Sequence, residues 1–87
     1  MPIAQPLRTT NAIALQSSSL ARLAYDRRRA ILQVEFRDGT TYQYAGVPFR
    51  VYDNLLRAES KGAHFNRHIR SCFPYVELQA AGRSRPV

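Results

Sequence analysis

Ile31-Leu32-Gln33-Val34-Glu35-Phe36-Arg37-Asp38-Gly39-Thr40-Thr41-Tyr42-Gln43-Tyr44-Ala45 is the stretch on which the fold turns. Its first half alternates. Leu32, Val34 and Phe36 share one face, and Gln33, Glu35 and Arg37 share the other, the pattern of a half-buried strand. Asp38-Gly39 marks a tight turn, and Thr40 to Ala45 returns as a second strand with Tyr42 and Tyr44 on one face. The turn can be built in two ways. If Asp38-Gly39 alone is the loop, Glu35 faces Tyr42 and the tyrosines join the polar outer face. If Arg37-Asp38-Gly39 is the loop, with Gly39 in the left-handed position of a bulge, Phe36 pairs with Thr40 and Val34 with Tyr42. The tyrosines then join the apolar face. A one-residue slip flips every side chain of a strand. The second register is expected, because in the first the returning strand offers the core only Thr41, Gln43 and Ala45.

Upstream, Leu20 to Tyr25 reads as another strand, joined to Ile31 by the polar turn Asp26-Arg27-Arg28-Arg29. Downstream, Gly46-Val47-Pro48 ends the sheet. Pro48 suits a helix start, since its fixed φ fits the first turn and no N–H is lost there. Val51, Tyr52, Leu55 and Leu56 follow at helical spacing, giving a helix over roughly Phe49 to Ala58. Ser60 can cap a second helix carrying Phe65 and Ile69 four apart and ending near Ser71. The expected fold is α+β: a three-stranded antiparallel meander covered by two C-terminal helices, in the order β-β-β-α-α. Ile13 to Leu15 and Tyr75 to Leu78 are candidates for short extra strands. Residues 1–16 read as a loose arm, 17–78 as the domain and 79–87 as a flexible basic tail.

The chain has 87 residues and a formal charge of +7, from 13 basic and 6 acidic side chains. That length supports one core, with about 60–65% of the chain's surface hidden on folding, so a deep substrate cleft is not expected. The composition, 45% apolar and 22% charged, excludes intrinsic disorder and a membrane span. A single cysteine, Cys72, excludes an internal disulfide and suits a reducing compartment. Met1 to Ser19 lacks a signal-peptide pattern, so the expectation is a cytoplasmic protein, most simply a monomer. All but one of the basic residues are Arg. Arg suits phosphate recognition, but a GC-rich genome produces the same bias. Ten of the 13 lie within Ser17 to Leu78 together with all six acids, leaving +4 on the domain.

Ser17-Ser18, Leu20, Leu23, Tyr25-Asp26, Leu32-x-Val34-x-Phe36, Gly39, Tyr42-x-Tyr44, Val47-Pro48, Leu55-Leu56 and Ser60-Lys61-Gly62-x-x-Phe65-Asn66-x-x-Ile69-Arg70 together resemble the KTSC domain. That family takes its name from a C-terminal extension of some lysyl-tRNA synthetases and also occurs as short bacterial and phage proteins. The ordered set Tyr-x-Tyr, Val-Pro and Ser-Lys-Gly-x-x-Phe-Asn is what makes the resemblance specific. It spans about Ser17 to Tyr75. It implies a small binding module with an RNA connection, and it implies no catalytic residues.

Several constellations are candidates for chemistry. Ser60, Lys61 and Gly62 at a helix start could cradle an anion. Equally, Ser60 is a plain N-cap with Gly62 present for close packing. Arg67 and Arg70, three apart on one helix face and flanked by Asn66 and His68, could grip adjacent phosphates. A solvated face is the ordinary outcome of such a run. Tyr42 and Tyr44 would stack bases only in the outward register. Arg27-Arg28-Arg29 is an exposed turn, with phosphate contact as the alternative. His64, His68 and Cys72 fall at i, i+4 and i+8, and the third lies about 12 Å along the axis from the first, too far for one zinc ion, which leaves a two-ligand site completed from elsewhere as the alternative. Cys72 beside Phe73 reads as a half-buried packing residue. Asp53 and Glu59 can pair with Arg57 or Arg50. No acid–base pair, nucleotide-binding loop or metal set is present, so no cofactor is expected. The leading expectation is a non-catalytic RNA-binding module, tRNA-like or single-stranded RNA being the ligand. The alternative is a protein-interaction module, or a phage- or toxin-associated accessory, using the sheet edge or Phe73 to Tyr75.

Overall fold

The computed structural model describes residues 13–78. One five-stranded antiparallel sheet runs in the order β1 (Ile13–Ala14), β2 (Leu20–Asp26), β3 (Ile31–Phe36), β4 (Thr41–Tyr44) and β5 (Tyr75–Leu78). Two helices, α1 (Phe49–Arg57) and α2 (Lys61–His68), lie between β4 and β5 in the chain. The α+β class and the helical cover follow the sequence reading. The sheet itself has five strands rather than three. Both terminal segments pair with it, so the order is β-β-β-β-α-α-β. The rest of the N-terminal arm (1–12) and the C-terminal tail (79–87) lie outside the described residues.

The turn between β3 and β4 adopts the bulged register. Val34 faces Tyr42 and Leu32 faces Tyr44. Phe36 N–H donates to Thr40 O at 2.8 Å and Gly39 N–H to Phe36 O at 3.0 Å, with Gly39 at φ 94°. Asp38 Oδ1 accepts from Thr40 N–H at 2.9 Å, which holds the turn closed. Tyr42 and Tyr44 therefore face the helices.

Strand β2 does not alternate simply, because a bulge falls between Leu20 and Arg22. It lets Leu20 and Leu23, three apart, both enter the core. They join Leu15, Leu32, Val34, Tyr44, Val47, Tyr52, Leu55, Phe65 and Ile69 in one buried cluster. Full burial of each aliphatic or phenylalanine side chain contributes about 1.5–3 kcal/mol before entropy is counted. Arg37 secures the arm to this body, donating to Leu15 O at 2.7 Å and Ser17 O at 3.0 Å.

Helix α1 starts at Pro48 without a side-chain cap and buries Tyr52 and Leu55. On its outer side Asp53 pairs with Arg57 at 3.1 Å, one helical turn apart. Helix α2 is capped by Ser60, whose Oγ accepts from Ala63 N–H at 3.4 Å, and it buries Phe65. It ends at His68, not near Ser71. Ile69 leaves helical geometry with φ −124°, and Phe65 O receives both the Ile69 and the Arg70 N–H. Two donors on one carbonyl close the helix early.

Candidate functional site

Tyr44 and Tyr75 sit opposite each other on β4 and β5, with ring centroids 5.4 Å apart. Tyr42 lies 5.3 Å from Tyr75 and 6.4 Å from Tyr44. Both tyrosines of β4 meet phenylalanine edges, Tyr42 against Phe36 at 5.7 Å and Tyr44 against Phe65 at 5.4 Å. This arrangement follows from the register, since residues two apart on a strand share a face and β5 adds its own aromatic to that face.

The rings line a cleft of about 490 Å³ between the β4–β5 edge and the C-terminal end of α2. Its floor is Tyr44 and Phe65, 3% and 2% exposed, and its outer wall is Tyr75, 55% exposed. Phe36, Thr40 and Tyr42 form one side. Asn66, Arg70 and Ser71 form the other. Arg70 Nη1 donates to Asn66 Oδ1 at 3.4 Å, so the amide holds the guanidinium at the cleft. No acidic side chain is among the lining residues. Burial pushes the Tyr44 hydroxyl up to about 12; the Arg70 charge opposes this, and Tyr42 and Tyr75 add to it. The phenol therefore stays neutral at physiological pH, and Arg70 is close enough to be felt there. The site offers aromatic faces, one fixed cation, an amide and a hydroxyl. That set suits a planar ring joined to an anion.

Of the eight residues singled out by sequence, Tyr42, Tyr44, Asn66 and Arg70 come together here. Ser60, Lys61, Gly62 and Arg67 do not line the cleft. Ser60 caps α2. Lys61 Nζ donates to Ala58 O at 2.9 Å, and Gly62 faces Ser19, whose Oγ would lie 2.6 Å from a Cβ there. Arg67 is exposed on α2. Arg70 lies past the end of the helix, so the two arginines do not form one helical stripe. The inward register buries Tyr44 as the cleft floor and leaves Tyr42 half-buried at its side. Tyr75, Phe36 and Phe65 complete the site. The sequence marks Tyr75 only as the start of a candidate strand and as part of the Phe73 to Tyr75 segment, since its partner strand lies about thirty residues earlier in the chain.

The other constellations resolve as follows. His64 and His68 lie with ring centroids 4.4 Å apart and planes tilted by 42°, and Cys72 is exposed rather than half-buried. It falls in the turn after α2, where Ile69 and Phe73 already fill the core side. Among the described residues no three His, Cys, Asp or Glu side chains are placed to hold a metal ion. No helix among them is long and apolar enough to cross a membrane.

The KTSC domain model matches residues 16–73. The chain belongs to the KTSC domain family. A crystal structure of a KTSC domain protein from Yersinia pestis superposes with a TM-score of 0.75 at 35% identity, covering 78% of this chain and 96% of that one. An uncharacterised protein of Stutzerimonas stutzeri (strain A1501) is 53% identical over 55 residues, 63% of this chain and 78% of that protein. A lysine–tRNA ligase of Nostoc punctiforme is 35% identical over 63 residues, 72% of this chain. This KTSC domain spans 11% of the length of that ligase. The match ends at residue 73, so β5 and its Tyr75 lie beyond the matched KTSC segment.

Proposed function

We propose that this KTSC domain is a non-catalytic module that binds single-stranded RNA in the β4–β5 cleft. An unpaired base lies against Tyr75 and Tyr42, Arg70 takes the neighbouring phosphate, and Asn66 reads a base edge. The observation that carries the reading is the placement of Tyr75 opposite Tyr44 with Arg70 in the same cleft. Stacking on tyrosine is open to any base, and arginine supplies the phosphate contact, the usual division of labour in single-strand recognition. The likeness to lysine–tRNA ligases, whose own substrate is an RNA, supports the same ligand class. The domain works as a cytoplasmic monomer in this reading.

The test is a titration of the full chain with a short single-stranded RNA at low salt, followed by amide shifts. Shifts are expected at Thr41 to Tyr44, Asn66 to Ser71 and Tyr75. Replacing Tyr75 by Ala should weaken binding by about 1–3 kcal/mol, the usual worth of one stacked base. Arg70→Ala should reduce the salt dependence by about 0.7 in log–log slope, one phosphate contact. An RNA that moves none of these amides sinks the proposal. A partner retained after nuclease treatment would point instead to a protein ligand.

A further inference from the structure

At the β2–β3 turn, away from the residues that line the cleft, an arginine cluster is assembled around one exposed ring. Asp26 Oδ1 accepts from the Arg28 and Arg29 N–H groups at 3.1 and 3.2 Å, and Ala30 closes the turn at φ 57°. Those bonds fix where the three arginines leave the backbone. Arg29 folds back on Asp26 at 3.7 Å, so its charge is partly answered. Arg27 places its guanidinium carbon 4.3 Å from the centroid of Phe49, which opens α1 and is 39% exposed. Phe49 in turn packs on Tyr25 and Tyr52, themselves stacked at 4.6 Å. The Arg27 side chain is thus laid on a rigid aromatic support. Arg28, and Arg50 next to Phe49 on α1, are exposed, and neither has an ion-pair or hydrogen-bonding side-chain partner among the described residues. The acids nearby are already engaged, Asp26 with the turn and Asp53 with Arg57.

We propose that Arg27, Arg28 and Arg50 form a second, sequence-independent contact for the RNA phosphate backbone. A guanidinium placed over a ring still has N–H groups to offer a phosphodiester, and its position is set before the ligand arrives. The two flanking arginines add charge without adding base readout. The cleft selects an unpaired base, and this turn grips backbone beside the first turn of α1. The inference depends on RNA being the ligand but not on the cleft being its site.

The test compares the full chain with the variant Arg27→Ala/Arg28→Ala/Arg50→Ala, using an oligouridylate of roughly 12 nucleotides as probe. The log–log salt slope is expected to fall by about 2, from three contacts at about 0.7 each. RNA should shift the amides of Tyr25 to Ala30 and Phe49 to Val51 in the parent chain. All three side chains are exposed, and the Lys-for-Arg variant at the same positions should retain most of the slope, which separates charge from misfolding. An unchanged slope with silent amides in the turn overturns the inference. So does a response of the turn to phosphatidylserine vesicles with none to RNA. Turn shifts that persist when the cleft stays silent retain this contact and remove the cleft reading.

Discussion

The Tyr25 hydroxyl donates to the Val47 carbonyl at 2.6 Å, joining β2 to the loop that launches α1. Val47 is fully buried, and its N–H goes to Ala30 O at 2.9 Å. The β4–α1 connection is therefore held at both its polar atoms by the β2–β3 hairpin. Tyr25→Phe keeps the ring stack on Tyr52 and removes only the donor. The expected cost is about 1–2 kcal/mol, for a buried carbonyl left without its partner. A denaturant midpoint unchanged by the substitution would mean that water replaces the hydroxyl at no cost.

Gly62 separates two explanations of the Ser-Lys-Gly motif. A Cβ there would stand 2.6 Å from Ser19 Oγ. Ser19 is exposed, and its hydroxyl can rotate away. Alanine within a helix is better than glycine by about 0.5–1 kcal/mol. Gly62→Ala is therefore expected to raise the melting temperature slightly and to leave RNA affinity unchanged. A drop in affinity with an intact fold would restore the helix start as an anion site.

Tyr44 makes stability sensitive to alkali. Below pH 10 the phenol is protonated in the folded and unfolded chains alike, and it adds no pH dependence. Between 10 and about 12 the folded chain keeps a proton that the unfolded chain has lost. Stability therefore falls as pH rises through that window. Denaturant midpoints across it should decline less steeply for Tyr44→Phe than for the parent. Parallel declines would show that the phenol ionises as readily in the fold as out of it.

His64 works in the opposite direction. Burial, then the His68 and Arg67 charges, hold its pKa below the ordinary 6.5. The unfolded chain takes up that proton first, so the contribution is lost as pH falls below 6.5 toward the folded value. His68→Gln removes one of the three causes and should raise the His64 midpoint in a proton NMR titration. A midpoint that does not move would assign the whole shift to burial.

Much of the fold was legible because the core allowed few alternatives. The register at Asp38-Gly39 could be chosen since the other option would have left β4 without apolar residues, and the bulge at Gly39 follows from that demand. The cleft was only half legible. Tyr42, Tyr44, Asn66 and Arg70 carry signals within their own strand or helix. Tyr75 does not, because its meaning comes from pairing with Tyr44 across both helices. Arg67 and Arg70 were placed on one helical face because spacing cannot show that Phe65 O would take two N–H donors and stop the helix. Cys72 looked half-buried beside Phe73, yet the turn points it outward.

The position of β5 in the chain has one further consequence. Every residue of the buried cluster lies between Leu15 and Ile69, and the outer wall of the cleft arrives at Tyr75. The last strand therefore closes the cleft from outside that cluster, while Leu78, 8% exposed, ties the same strand into the buried interior. On one short strand, Tyr75 and Val76 are exposed and open to change, whereas Leu78 and the pairing with β4 are bound up with the fold itself.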